Sequence, residues 1–160
     1  MIFLGIDPGL GGAVATWRPE DETLNVYDTP TLMLNGKRCV DAYQLARLFD
    51  IQQAPKLCII EQVAARPGAG VSGMFNFGRA TGILEGLIIA QFWPLESVMP
   101  HHWKREMRCP KDKDGARARA SQLLPKHAHN WPLKKHDGRA EAALIALYAE
   151  RRFQHRAVTP

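Results

Sequence analysis

Two short apolar runs each end on a carboxylate: Phe3-Leu4-Gly5-Ile6 leads into Asp7, and Leu57-Cys58-Ile59-Ile60 into Glu61. Runs of this length bounded by turn residues read as buried strands. An unpaired charge at the end of a buried strand is costly, so each carboxylate needs a cation, a metal or hydrogen-bond donors. If the two strands pair in parallel, both groups lie at one sheet edge, where open α/β sheets place their sites.

The rest of the chain supports that pairing. Glycines after Asp7 turn the chain into a second strand, AVATW, and LNVYDTP reads as a third, making an antiparallel meander. AYQLARLFDIQQA has the apolar spacing of an amphipathic helix capped by Asp41. KLCIIEQV follows as a strand, so a right-handed crossover sets it parallel to the first. RPGAGVSGMFNFG reads as a glycine-rich loop, RATGILEGLIIAQF as a helix and SVMP as a last short strand. RCPKDKDG reads as a basic loop, ARARASQLLP as a short helix and HDGRAEAALIALYAERRF as the strongest helix. The fold class expected is α/β, a mixed five-stranded sheet flanked by helices, in a single domain over residues 1–160 with its core over about 2–150.

The longest apolar region, GILEGLIIAQFWPL, is broken by Glu85 and Pro94 and is too short to cross a bilayer. With no basic leader before the first strand, the chain is expected to stay in the cytoplasm, of a bacterial cell or one carrying a phage. Cys39, Cys58 and Cys109 are an odd, widely spaced set that makes no disulfide framework, and Cys58 is expected as a buried thiol. Charge is unevenly placed. Residues 1–100 carry 7 Lys/Arg against 10 Asp/Glu, a net of −3, while residues 101–160 carry 14 against 6, a net of +8. A basic half of this kind suits a polyanion, nucleic acid first, or is simply a solvated surface.

The last helix adds Asp137 and Glu141, four apart and so on one face. Four carboxylates brought together repel one another unless divalent cations sit among them, and oxygen ligands select Mg²⁺, with Mn²⁺ as a substitute. Two such ions about 4 Å apart support in-line attack of water on a phosphodiester. Gly9, Gly11 and Gly12 would let a phosphate backbone approach Asp7. Each piece alone has an ordinary reading: Asp-Pro-Gly as a β-turn, Glu61 as a salt-bridged strand end, Asp137 as a helix cap.

FLGIDPGLGGA, IIEQV, the glycine-rich loop into FGRATGILEG, then MPHHWK and HDGRAEAALIALY together resemble the RuvC family of Holliday junction resolvases, from near residue 2 to near residue 148. The resemblance implies a ribonuclease-H-like fold, a homodimer and Mg²⁺-dependent nicking of four-way DNA junctions on two strands. It implies Asp7, Glu61, Asp137 and Glu141 as metal ligands, and Lys104 with a lysine of the following loop beside the scissile phosphate. Two features depart from the family. The helical ligands are four apart where three is common, which leaves His136 as a further candidate at the metal or the attacking water. Ala64 stands where relatives carry a stacking aromatic, so Phe75 or Phe77 either takes over that wedge or packs on the core.

Arg66, Arg79, Lys104, Arg105, Lys111, Lys113 and Arg117 are the expected phosphate contacts. Trp103 and Trp131 are expected in the core or an interface, and the histidines with Cys109 match no standard zinc spacing. Gly82, Gly86 and Ala90 recur at helical spacing, allowing either a partner helix or burial within the monomer. The functional expectation is resolution of Holliday junctions and other branched DNA. The alternatives are a nuclease of structured RNA and an inactive junction-binding protein. Actin-like ATPases share the Asp-x-Gly opening but need two related domains, for which 160 residues without a repeat are too few.

Overall fold

The computed structural model describes residues 1–50, 53–62, 70–110 and 113–158. A five-stranded sheet has the order β3-β2-β1-β6-β7, where β1 is Phe3–Asp7, β2 Ala13–Arg18, β3 Thr23–Asp28, β6 Leu57–Glu61 and β7 Leu95–Val98. β1, β2 and β3 form the antiparallel meander, and β6 pairs parallel with both β1 and β7. The expected mixed sheet is therefore present. The helices are α1 (Ala42–Asp50), α2 (Val71–Ala90), α3 (Pro100–Glu106), α4 (Lys113–Leu123) and α5 (Asp137–Val158). Asp41 caps α1, its Oδ1 accepting the Gln44 N–H at 3.0 Å.

Strand alternation sorts the core into two layers. Leu4, Ile6, Cys58 and Ile60 face one way, onto Leu45 and Phe49 of α1 and Ala80, Leu84 and Ile88 of α2. Phe3, Leu57 and Ile59 face the other way, onto the alanine-rich side of α5, with Trp103, Met107 and Trp131 beside it. Asp7 and Glu61 continue this second series, so the period of two places both on the α5 side. Cys58 is fully buried, and burial pushes its thiol up to about 12. Cys39, Cys58 and Cys109 form no disulfide, and among the described residues no helix is long and apolar enough to cross a membrane.

Two expectations need correction, and one element went unread. Residues 71–78 are the first two turns of α2, not a loop. Tertiary contact overrides the weak propensity of Gly73 and Gly78: the Phe77 ring lies against the turn at Gly9, and the Thr81 hydroxyl donates to the Phe77 carbonyl at 3.0 Å. Residues 31–40, unread above, form a hairpin of β4 (Thr31–Leu34) and β5 (Lys37–Val40). Its turn is Asn35-Gly36, with φ of 49° and 74°, the Asn-Gly pair favoured where both central residues are left-handed. The basic loop is shorter than read, since Lys113 already begins α4.

α5 sits close on the sheet because both surfaces are small. A Cβ at Gly5 would lie 2.2 Å from the Ala146 nitrogen and 2.3 Å from the Ala142 carbonyl oxygen, both backbone atoms of α5. Gly5→Ala therefore forces the helix off the strand. We expect it to cost at least about 2 kcal/mol, the upper part of the range for overpacked cores, read as a lowered urea midpoint.

Candidate active site

Three elements bring carboxylates to one place. β1 delivers Asp7, and its parallel register with β6, Ile6 beside Ile60, sets Glu61 next to it. α5 starts across both strand ends: a Cβ at Gly138 would come within 2.8 Å of Asp7 Oδ2 and 2.6 Å of the Gly11 carbonyl oxygen. Asp137 and Glu141, on the first turns of that helix, thus join the two strand-end groups.

The electrostatics of Asp7 record this convergence. Burial, first, and then the charges of Glu141, Glu61 and Asp137 hold its carboxyl well above the usual carboxylate range, against the opposing pull of Lys104. The other three carboxylates each have a donor. Trp103 Nε1–H donates to Glu61 Oε2 at 2.6 Å, Lys104 Nζ–H to Glu141 Oε1 at 2.7 Å and Arg117 Nε–H to Asp137 Oδ1 at 2.9 Å. For Lys104, burial pulls the ammonium down, but the hydrogen bond and charge of Glu141, with Glu61, outweigh it and keep the group charged. α3 positions these donors: Trp103 is fully buried and anchors the helix, which sets Lys104 beside the cluster, 5.1 Å over the indole.

Oxygen-only donors around an electrostatically frustrated carboxylate suit a hard dication. Among the described residues, no three His, Cys, Asp or Glu side chains converge as a ready ligand group. Glu141 and Asp137 are turned toward Lys104 and Arg117, which supply the positive charge a metal would. A bound dication would take over these partners, so the residues fit one in donor chemistry and in position on the fold.

The remaining expected residues divide. Arg105 and Arg79 are exposed on α3 and α2. Arg79 lies in the third turn of α2, not at its start, so the helix N-terminus adds nothing to it. Phe75 is 69% exposed, whereas Phe77 is half-buried against Gly9, so the open alternative resolves residue by residue: Phe77 is an anchor and Phe75 presents its ring outward. Arg117 is tied to Asp137 and Asp114 and is not an open phosphate contact. His136 turns from the acidic cluster; its Nδ1 accepts the Leu133 N–H at 3.3 Å and its charged neighbours are Arg139, Lys135, Asp28 and Arg117. Arg66, Lys111 and Ala64 lie outside the described residues, as does the side chain of Lys113. Of the three turn glycines only Gly11 has open space among the described residues; Gly9 has φ of 129°, and a Cβ at Gly12 would meet the Asp7 carbonyl oxygen at 2.0 Å.

Sequence reasoning missed Trp103 as the donor that holds Glu61, because an indole expected in the core carries no mark of where its N–H turns. It missed Arg117 as the counter-ion of Asp137 because a basic cluster does not say which cation turns inward.

No protein-family model matches the chain, and no curated protein matches it. Solved structures do. Thermus thermophilus RuvC in complex with a Holliday junction substrate superposes with a TM-score of 0.67 at 16% identity, covering 99% of this chain and 98% of that one. The yeast mitochondrial Holliday junction resolvase gives 0.54 at 17% identity, over 97% and 85% of the two chains. The fowlpox virus Holliday junction resolvase gives 0.54 at 13% identity, over 96% and 99%. The chain has the ribonuclease-H-like fold of these resolvases.

The raised carboxyl of Asp7 has a consequence for stability. Between its unfolded and folded values the folded chain binds the extra proton, so stability is lost as pH rises through that window. Asp7→Asn removes the loss. In chelator at neutral pH the variant is expected to be more stable than the wild type, seen as a higher urea midpoint. The difference should close below the ordinary carboxylate range.

Proposed function

We propose that the chain is a RuvC-like resolvase that nicks opposed strands of four-way and other branched DNA by metal-dependent phosphodiester hydrolysis. One observation carries the reading: Glu61, Asp137, Glu141 and Lys104 all act on a single half-buried strand-end carboxylate, Asp7, in a fold shared with a protein solved on a Holliday junction. That neighbour, with the yeast mitochondrial and fowlpox proteins, is a DNA junction resolvase, which favours DNA over structured RNA.

Asp7, Glu61, Asp137 and Glu141 would hold Mg²⁺, or Mn²⁺ in its place. A bound dication of this kind activates water and stabilises the leaving 3′ oxygen. The protein's own groups prepare the rest. Asp7 is fixed on a strand that pairs on both sides, and the Trp103 N–H fixes Glu61. Lys104 stays protonated at the edge of the cluster, where it neutralises charge on a phosphate entering over Gly11, the one turn glycine with open space. Arg105, Arg79 and the outward Phe75 ring flank the path that branched DNA would take, the ring stacking on an unpaired base.

Paired nicking needs two sites related by a two-fold axis, and α2 offers the surface. Phe75, Gly78, Gly82, Gly86 and Ile89 recur on one exposed face, where a Cβ at Gly78, Gly82 or Gly86 meets nothing within 4 Å among the described residues. Burial against the described residues of the monomer thus does not explain the small-residue spacing. We assign it to a homodimer contact that brings two α2 helices into close approach.

The test is cleavage of an end-labelled synthetic four-way junction with Mg²⁺, beside a linear duplex of the same sequence. Paired nicks near the branch point are expected, absent from the duplex and abolished by Asp7→Asn. Lys104→Ala should slow them by about 10²-fold, the scale of one lost charge-stabilising group. Junction binding without cutting in Mg²⁺ or Mn²⁺ would refute the nuclease reading and leave a binding protein.

A further inference from the structure

The Gly11–Gly12 turn has two sides. Asp7 packs on one. The other floors a cleft of about 380 Å³ walled by Thr29, by Arg38 of the β4–β5 hairpin and by Lys135, Asp28 and Arg139. Its charges do not cancel. Arg139 spends its charge on Asp28, with both oxygens of the carboxylate at 2.6 Å, and donates to the Asn130 carbonyl. Among the described residues Arg38 has only neutral partners: Nε–H donates to Thr31 Oγ1 at 3.0 Å and one Nη to the Leu10 carbonyl at 2.9 Å. That leaves three guanidinium N–H groups unspent. Lys135 is exposed and, among the described residues, makes no ion pair.

A second observation points the same way. Thr29 is 4% exposed, and its hydroxyl has no hydrogen-bond partner among the described residues. An orphaned buried hydroxyl is destabilising unless something supplies an acceptor or donor. A cleft with two uncompensated cations and a spare hydroxyl is built for an oxyanion. Arg38 and Lys135 come from distant parts of the chain and meet only here. The carbonyl that Arg38 holds, Leu10, belongs to the turn that bears on Asp7. The cleft is therefore fixed in register with the acidic cluster.

From this geometry we infer that the cleft seats a backbone phosphodiester of the bound strand, next to the one to be cut, and so sets the strand's register over Asp7. The inference rests on the nuclease reading for the identity of its ligand, but the cleft's taste for phosphate can be tested without it. In an Asp7→Asn background, which holds DNA uncut, the slope of log K against log salt for junction binding should fall by about 0.9 in Lys135→Ala, the amount of one lost phosphate contact. Lys135→Arg should restore it. Junctions carrying one neutral methylphosphonate at successive positions near the branch should show one position where affinity drops for the parent and not for Lys135→Ala. An unchanged slope, or the same methylphosphonate profile in both proteins, overturns the inference.

A parallel titration with inorganic phosphate, followed by the Gly12 and Thr29 amide resonances, separates this from the fate of the nuclease reading. Shifts that disappear in Lys135→Ala support an oxyanion site even if no junction is bound. No shift in the parent overturns the site itself. Lys135 is exposed, so its loss leaves folding intact, which an unchanged urea midpoint checks.

Discussion

The charge on Asp7 is the constraint around which the rest of the molecule is arranged. A carboxylate at the end of a central strand, half-buried and facing three others, is unfavourable in isolation. Every neighbouring element answers it. α3 brings a lysine, α4 brings an arginine through Asp137, and the indole of Trp103 holds Glu61 in place. None of these removes the repulsion. They hold it in a form that a hard dication and a phosphate would relieve.

That arrangement depends on close approach of backbone to backbone. α5 reaches the strand ends because Gly5 and Gly138 carry no side chain where it crosses and because its sheet-facing residues are largely alanine. A bulkier helix would ride higher, and Asp137 and Glu141 would lie out of reach of Asp7. Packing and chemistry therefore share residues, and changes to the core on the α5 side act on the site. The opposite layer, α1 and α2 against Leu4, Ile6, Cys58 and Ile60, is more independent. It exposes the glycine face of α2 and carries the anchor Phe77 under the turn.

Much of this was legible in the residues. The period-two alternation of β1 and β6 and the i, i+4 pair on α5 point to four carboxylates on one side of a sheet, and the fold has them there. The β4–β5 hairpin went unread despite the strong turn signal of Asn35-Gly36, because its flanks are largely exposed and alternate poorly. The start of α2 was not legible. Two glycines within its first eight residues mask a helix that is held by a contact distant in the chain, Phe77 on Gly9. Side-chain direction was least accessible: nothing in the spacing says that Arg117 turns inward, that His136 turns away or that Trp103 is a donor. Those depend on which partner each polar atom finds once the layers are packed.

The central claim is that the acidic cluster is a dication site held open by Lys104 and Arg117. Calorimetric titration of Mn²⁺ into the metal-free protein, alone and bound to an excess of four-way junction, tests it most directly. The account predicts saturable binding that is lost in Asp7→Asn, and tighter binding when the junction is present, because the phosphate then occupies Lys104 and frees Glu141. Binding unchanged by Asp7→Asn, or none in either state, would contradict it.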